Sequence, residues 1–145
     1  MAKGGAAGAR SRARELLVQA LYQMQIADHD LRELRLQFKA RPEYQGVDKE
    51  YFDAAMTAIC THIDDIESGL DEYADRPIDQ LDPVEKAILY MGYHELEVVI
   101  AVPYRVVINE AVTLARRFGA EDGHKYINAL LDRASKKLRP VEHSS

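Results

Sequence analysis

Tryptophan is absent from this chain and cysteine occurs once, at Cys60. One thiol cannot close an internal disulfide, which excludes the small secreted scaffolds that are stapled by such bonds. Long apolar runs are missing too. The longest, from Val98 to Tyr104, falls far below the ~20 residues of a membrane span. No N-terminal stretch joins a basic start to a continuous apolar segment and a small-residue cleavage site, so the expectation is a cytoplasmic protein with no membrane contact. Neither a GxxxxGK[ST] loop, a GxGxxG turn after a strand, nor a GxSxG elbow occurs, which removes phosphate cradles and nucleophile elbows. What remains is a chain of 145 residues, 47% of them hydrophobic. That suffices for one domain, or two small bundles sharing a boundary, without a metal to hold it together.

The net charge of −5 argues at first against an anionic ligand, but the charges are segregated. Residues 1–45 carry eight Lys/Arg against five Asp/Glu, residues 46–82 two against eleven, and residues 83–145 nine against eight. A groove built from the two ends could attract an anion while the acidic middle keeps the molecule soluble.

Apolar periodicity is helical throughout. Residues 1–9, with Gly4, Gly5 and Gly8 among alanines, read as a flexible arm. Leu17, Ala20, Leu21 and Met24 then mark one stripe of a helix over about residues 10–27. Leu31, Leu34 and Phe38 give a second helix, closed by Arg41-Pro42 and followed by a loop to Val47. Asp48 is the expected N-cap of a third helix over about 49–67, with Gly69 at its C-cap. Asp82-Pro83-Val84-Glu85 spells an N-cap, a first-turn proline and a capping-box carboxylate for a helix over about 83–97. Val98 to Val102 is β-branched, but it has no second strand to pair with and reads as helix end and loop. Pro103 opens a helix carrying Val107, Ala111, Leu114 and Phe118 on its stripe. After Gly119 the last helix begins near Asp122-Gly123, with Ile127, Leu130, Leu131, Ala134 and Leu138 on one face and Tyr126, Arg133 and Lys137 on another. The expected fold is all-α, with about six to seven helices in two small bundles: about 10–81 and 82–139, then a tail from 140 to 145.

Catalytic and metal signals are poor. Cys60 and His62, two residues apart, point to different sides of a helix. His62, His94 and His124 lack the i, i+4 spacing that sets two imidazoles on one zinc. Asp64, Asp65, Glu67, Asp71, Glu72 and Asp75 lack the alternation and glycine of a calcium loop and read as a solvated acidic face. No catalytic residue, metal or cofactor is expected. The basic start differs in kind, because Arg10, Arg12 and Arg14 put guanidinium groups where the helix dipole disfavours them, and planar forked donors suit phosphate. A second set, Arg116, Arg117, Phe118, Lys125 and Tyr126, mixes cations with rings that bases could stack on. Phe118 continues a core stripe, whereas Tyr126 lies off one, so the first ring is expected to be packed and the second open.

Four blocks carry a family resemblance: ARSRARELLVQALY over residues 9–22, DPVEKAIL over 82–89, VPYRVVINEA over 102–111 and FGAEDGHKYIN over 118–128. In this order and spacing, over about residues 9–139, they resemble the NusB transcription antitermination factors. The resemblance implies an all-helical fold without catalysis. It also implies binding of the single-stranded boxA element of ribosomal RNA leader transcripts, with a small-subunit ribosomal protein acting as NusE. The wider setting it implies is a transcribing RNA polymerase complex with other Nus factors. By the same resemblance RNA contacts fall on Arg10, Arg12, Arg14, Tyr73, Phe118, Lys125 and Tyr126, and the ribosomal protein meets Tyr22 and Glu85. Ser11 stands where the family often has arginine, Tyr126 where it often has phenylalanine, and Ala129 where it usually has glycine. A homodimer covering the arginine face is compatible with the resemblance. A helical domain of this kind also occurs ahead of an RNA cytosine methyltransferase, but the stretch up to Ser145 leaves no room for a cofactor-binding sheet. A protein-binding helical adaptor or an rRNA-binding module without antitermination is the alternative reading.

Overall fold

The structure, a computed structural model, describes residues 6–27 and 29–144, and side chains from residue 8 onward. It consists of helices: α1 (Ala6–Ile26), α2 (Leu31–Lys39), α3 (Lys49–Thr61), α4 (Ile63–Asp71), α5 (Pro83–Val98), α6 (Tyr104–Phe118), α7 (Gly123–Leu138) and α8 (Pro140–His143), with 3₁₀ turns at Pro42–Gly46 and Ile78–Gln80. The described residues contain no strand. The expected arm is shorter than its glycine content suggested. Ala6 to Ala9 already belong to α1, and residues 1–5 lie outside the described residues.

Local chemistry sets most of the boundaries. The Asp30 side chain accepts from the Glu33 amide while the Glu33 side chain accepts from the Asp30 amide, a complete capping box at the start of α2. Asp48 caps α3 by accepting from the Tyr51 amide at 3.1 Å. Asp82 accepts from the Val84 amide at 2.7 Å, with Pro83 in the first turn of α5. Glu85 does not complete that box. It turns inward, 8% exposed, against Gly123 at the start of α7, where a Cβ would collide with its carboxylate.

Two boundaries depart from the sequence reading. The expected helix over 49–67 is two helices, broken at His62, whose φ of −115° and ψ of 29° leave the helical region. Gly69 is no C-cap. It lies inside α4, where the Tyr93 ring crosses so closely that a Cβ would strike the phenol. The expected tail also folds in part. Pro140–His143 forms α8, and the Arg139 guanidinium, 3% exposed, donates to the carbonyls of Leu96, Glu95 and Val99, satisfying the open end of α5.

The axis of the molecule is α5. Every residue from Ala87 to Leu96 is buried, because α1, α3 and α4 pack on it along with α6 and α7. Gly92 lets α7 approach: a Cβ there would sit 2.8 Å from Leu131 Cδ1. One continuous apolar core therefore runs from Leu17 and Phe52 through Ile88 and Met91 to Ile127 and Leu130. This arrangement fixes the N-terminal half of α1 beside α6, although the two are far apart in sequence.

Candidate nucleic-acid interface

The arginine-rich start of α1 divides by depth. Arg10 Nε pairs with Asp48 Oδ2 at 3.0 Å, and its guanidinium lies 4.6 Å from the centre of the Tyr51 ring. The Asp48 carboxyl is held below the usual carboxylate range, first by the Tyr51 amide it accepts from and then by Arg10. Arg12 Nε donates to the Gly46 carbonyl at 2.8 Å, across a cleft of about 350 Å³ lined by Glu15, Pro42 and Val47. Both guanidinium groups thus stand at the surface, steadied from below.

Arg14 does not join them. Its side chain is 4% exposed, and Nε and a terminal nitrogen donate to the two oxygens of Glu95 at 2.7 and 2.9 Å. The Tyr51 hydroxyl donates to the same carboxylate, and Glu110 stands 3.5 Å from Arg14. Burial alone would lower the Arg14 pKa, but the hydrogen bond and charge of Glu95 outweigh it and raise it. The same burial, with Glu95 beside it, pushes the Tyr51 phenol far up. Arg14, expected at the surface, is an internal strut joining α1 to α5. The one-turn spacing from Arg10 concealed this, because Glu95 lies 81 residues away in sequence.

A second row of contacts ties this start to α6. Ser11 Oγ donates to Glu110 at 3.2 Å, and Arg117 donates to both oxygens of Glu15, at 2.9 and 3.3 Å. Arg117 also lies 4.8 Å from the centre of the Phe118 ring, which is 40% exposed. Lys125, with 74% of its side chain exposed, reaches Asp122 at 3.6 Å. Arg12, Arg117 and Phe118 therefore lie around Glu15 where α1 meets α6, while Arg10 stands on the α3 side of the same helix start. Sequence reading had singled out Arg117 as basic without assigning it a contact.

The two expected rings exchange roles. Phe118 is the last residue of α6, past the end of the packed stripe, and so it is partly open. Tyr126 is half-buried, because the segment after α4 folds over that flank of α7 and lays the Arg76 guanidinium 5.0 Å from its ring centre. Tyr73 belongs to the same segment, held by Arg133 donating to its carbonyl at 3.0 Å and by Lys137 pairing with Glu72 at 3.2 Å. Tyr73 and Tyr126 thus share one flank of α7, while Lys125 faces α6. Arg76 was missed. Its only sequence signal is that it is one of two cations in the acidic segment 46–82.

On the proposed partner side, Tyr22 is 37% exposed, and Gln25 about one turn beyond it donates to the Pro83 carbonyl at 2.8 Å, which seats the end of α1 beside the start of α5. Glu85 is close to this junction in sequence but buried, and burial together with the nearby Asp82 charge raises its pKa.

Fold and surface together define a class: a small all-helical protein with an acidic middle, exposed cations at the start of its first helix, and a cation and an open aromatic at the end of its sixth. The NusB family model matches residues 11–136. The transcription antitermination protein NusB of Colwellia psychrerythraea is 43% identical over 133 residues, 92% of this chain and 96% of that protein. That of Mannheimia succiniciproducens is 44% identical over 129 residues, 89% of this chain and 90% of that one. The chain belongs to the NusB family, whose function is transcription antitermination. A solved structure of T. maritima NusB shares the fold, with a TM-score of 0.82, 24% identity, and coverage of 94% of this chain and 97% of the other.

Proposed function

We propose that the protein acts in antitermination as a non-catalytic RNA-binding factor of the cytoplasm. It grips the single-stranded boxA element of ribosomal RNA leader transcripts together with the ribosomal protein that serves as NusE, within a transcribing polymerase complex containing other Nus factors. The observation that carries this reading is that Arg12 shares a cleft with Glu15, which Arg117 bridges beside the open Phe118 ring, with Arg10 two residues before Arg12 on α1. Guanidinium groups beside an open ring offer phosphate contacts and a stacking face together, which is what a single strand needs. Lys125 extends the charge, and the Tyr73 and Tyr126 flank supplies further ring surface. Tyr22, exposed at the end of α1, meets the ribosomal protein, with Glu85 beneath that surface.

The edge carries few cations, so RNA alone binds weakly and the protein partner raises affinity by adding contacts to the same strand. The test is a titration of a boxA-like single strand, with and without the ribosomal protein, against a scrambled strand. Tighter binding of the boxA-like strand that increases with the partner supports the reading. Equal affinity for both strands in the presence of the partner overturns it.

A further inference from the structure

Beyond Lys125, α6 and α7 enclose a groove of about 740 Å³ that none of the contacts above uses. Two polar stripes at helical spacing line it, Arg105, Asn109 and Arg116 along α6 and His124, Lys125 and Asn128 along α7, beside the apolar Ile108 and Val112. From Arg105 to Arg116 the stripe is about 16 Å long at the helical rise, longer than a single small anion.

Two observations give the groove a ligand. Its charge is the first: Arg105, Arg116 and Lys125 line it against one carboxylate, Asp132, which Lys136 already approaches at 3.9 Å. Among the described residues neither Arg105 nor Arg116 has a carboxylate partner, unlike Arg117, which Glu15 engages. Second, Asn109 and Asn128 are exposed on facing helices, and each side-chain amide offers both a donor and an acceptor. Such groups read base edges, whereas a surface built only for charge has no use for them.

We infer that the groove between α6 and α7 seats single-stranded RNA flanking the boxA element, with Arg105 and Arg116 on phosphates and Asn109 and Asn128 on base edges. The inference rests on the RNA-binding reading above and extends it, since Lys125, which that reading assigns to RNA, also lines the groove. A protein segment is the weaker occupant, because Arg105, Arg116 and Lys125 line the groove, whereas the core of a protein interface is depleted of charged side chains.

The experiment uses the full chain with the ribosomal protein and three strands: a boxA-like element alone, and the same element with a short uridine flank at its 5′ or its 3′ end. One flanked strand should bind about tenfold tighter than the bare element, equivalent to roughly 1.4 kcal/mol. Its log–log salt slope should be more negative by about 1.4, for two additional phosphates. The exposed pair Arg105→Ala and Asn109→Ala, with helix content checked by circular dichroism, should abolish that gain and leave affinity for the bare element unchanged. Equal wild-type affinity for all three strands overturns the groove and leaves the RNA reading standing. Failure to bind any strand overturns both. If the double variant keeps the flank gain but loses the ribosomal protein, the groove is a protein contact and the inference is wrong.

Discussion

At the scale of single residues, depth separates side chains that look alike in sequence. Arg14→Ala leaves the Glu95 carboxylate buried with one partner removed, and the denaturant midpoint should report a loss of about 3–5 kcal/mol. Arg12→Ala, at the surface, should stay within about 1 kcal/mol of wild type. The rings invert in the same way. A fully buried phenylalanine costs about 3–5 kcal/mol on truncation, so Phe118→Ala, which removes a ring already 40% exposed, should lose less stability than that and show its main effect on RNA affinity. Tyr126→Ala removes a half-buried ring beneath Arg76 and should lose stability as well as roughly 1–3 kcal/mol of stacking. An RNA titration beside a denaturant curve separates the two. His94, 5% exposed in α5, gives a pH signature, because burial lowers its pKa from the ordinary 6.5 despite the neighbouring Glu95 charge. The unfolded chain then takes up the proton first. Its contribution to stability is therefore intact above about pH 6.5 and declines as the pH falls below that value. Denaturant midpoints at pH 7.5 and pH 5 should differ more in wild type than in His94→Gln, and equal differences would remove His94 as the cause.

Among the elements, close approach matters more than propensity. Gly92 lies in the middle of α5, where alanine would ordinarily add up to about 1 kcal/mol of helix stability. Here its Cβ would press on Leu131, a side chain fully buried in the core. Gly92→Ala should destabilise by about 1–2 kcal/mol net, read from the thermal midpoint, and a more stable variant would show that α7 can shift. The elements also show what periodicity reveals and conceals. The stripes of α6 and α7 and the boundaries at Pro83, Pro103 and Gly119 were legible, because proline, glycine and a capping aspartate act within a few residues. The break at His62 was not. Ile59, Ile63, Ile66 and Leu70 keep the period across it, and no proline or glycine marks it. Gly69 was misread because a glycine that admits a crossing ring looks in sequence like one that ends a helix. In the candidate interface, the cation-rich turns were legible as such. The pairing of Arg14 with Glu95, and the folding of Arg76 over Tyr126, depend on residues brought together only by packing around α5.

Taken whole, the molecule separates charge: an acidic middle supplies α3, α4 and the segment up to α5, and the two chain ends supply the cations of the α1–α6 edge and the groove beyond it. The proposed binding surface would act by displacing counterions from phosphate, so its signature is dependence on salt. In the proposed binding surface Arg10 and Arg12 contact RNA while Arg14 supports the helix from within. The most direct measurement is the affinity of the full chain for a boxA-like single strand across a salt series, for wild type and for the double variant Arg10→Ala, Arg12→Ala. If about four phosphates are neutralised, log K should fall against log salt with a slope near −3. The double variant should lose about 1.4 of that slope while its circular dichroism and denaturant midpoint stay close to wild type. A wild-type affinity indifferent to salt, or a double variant with the wild-type slope, would contradict the account.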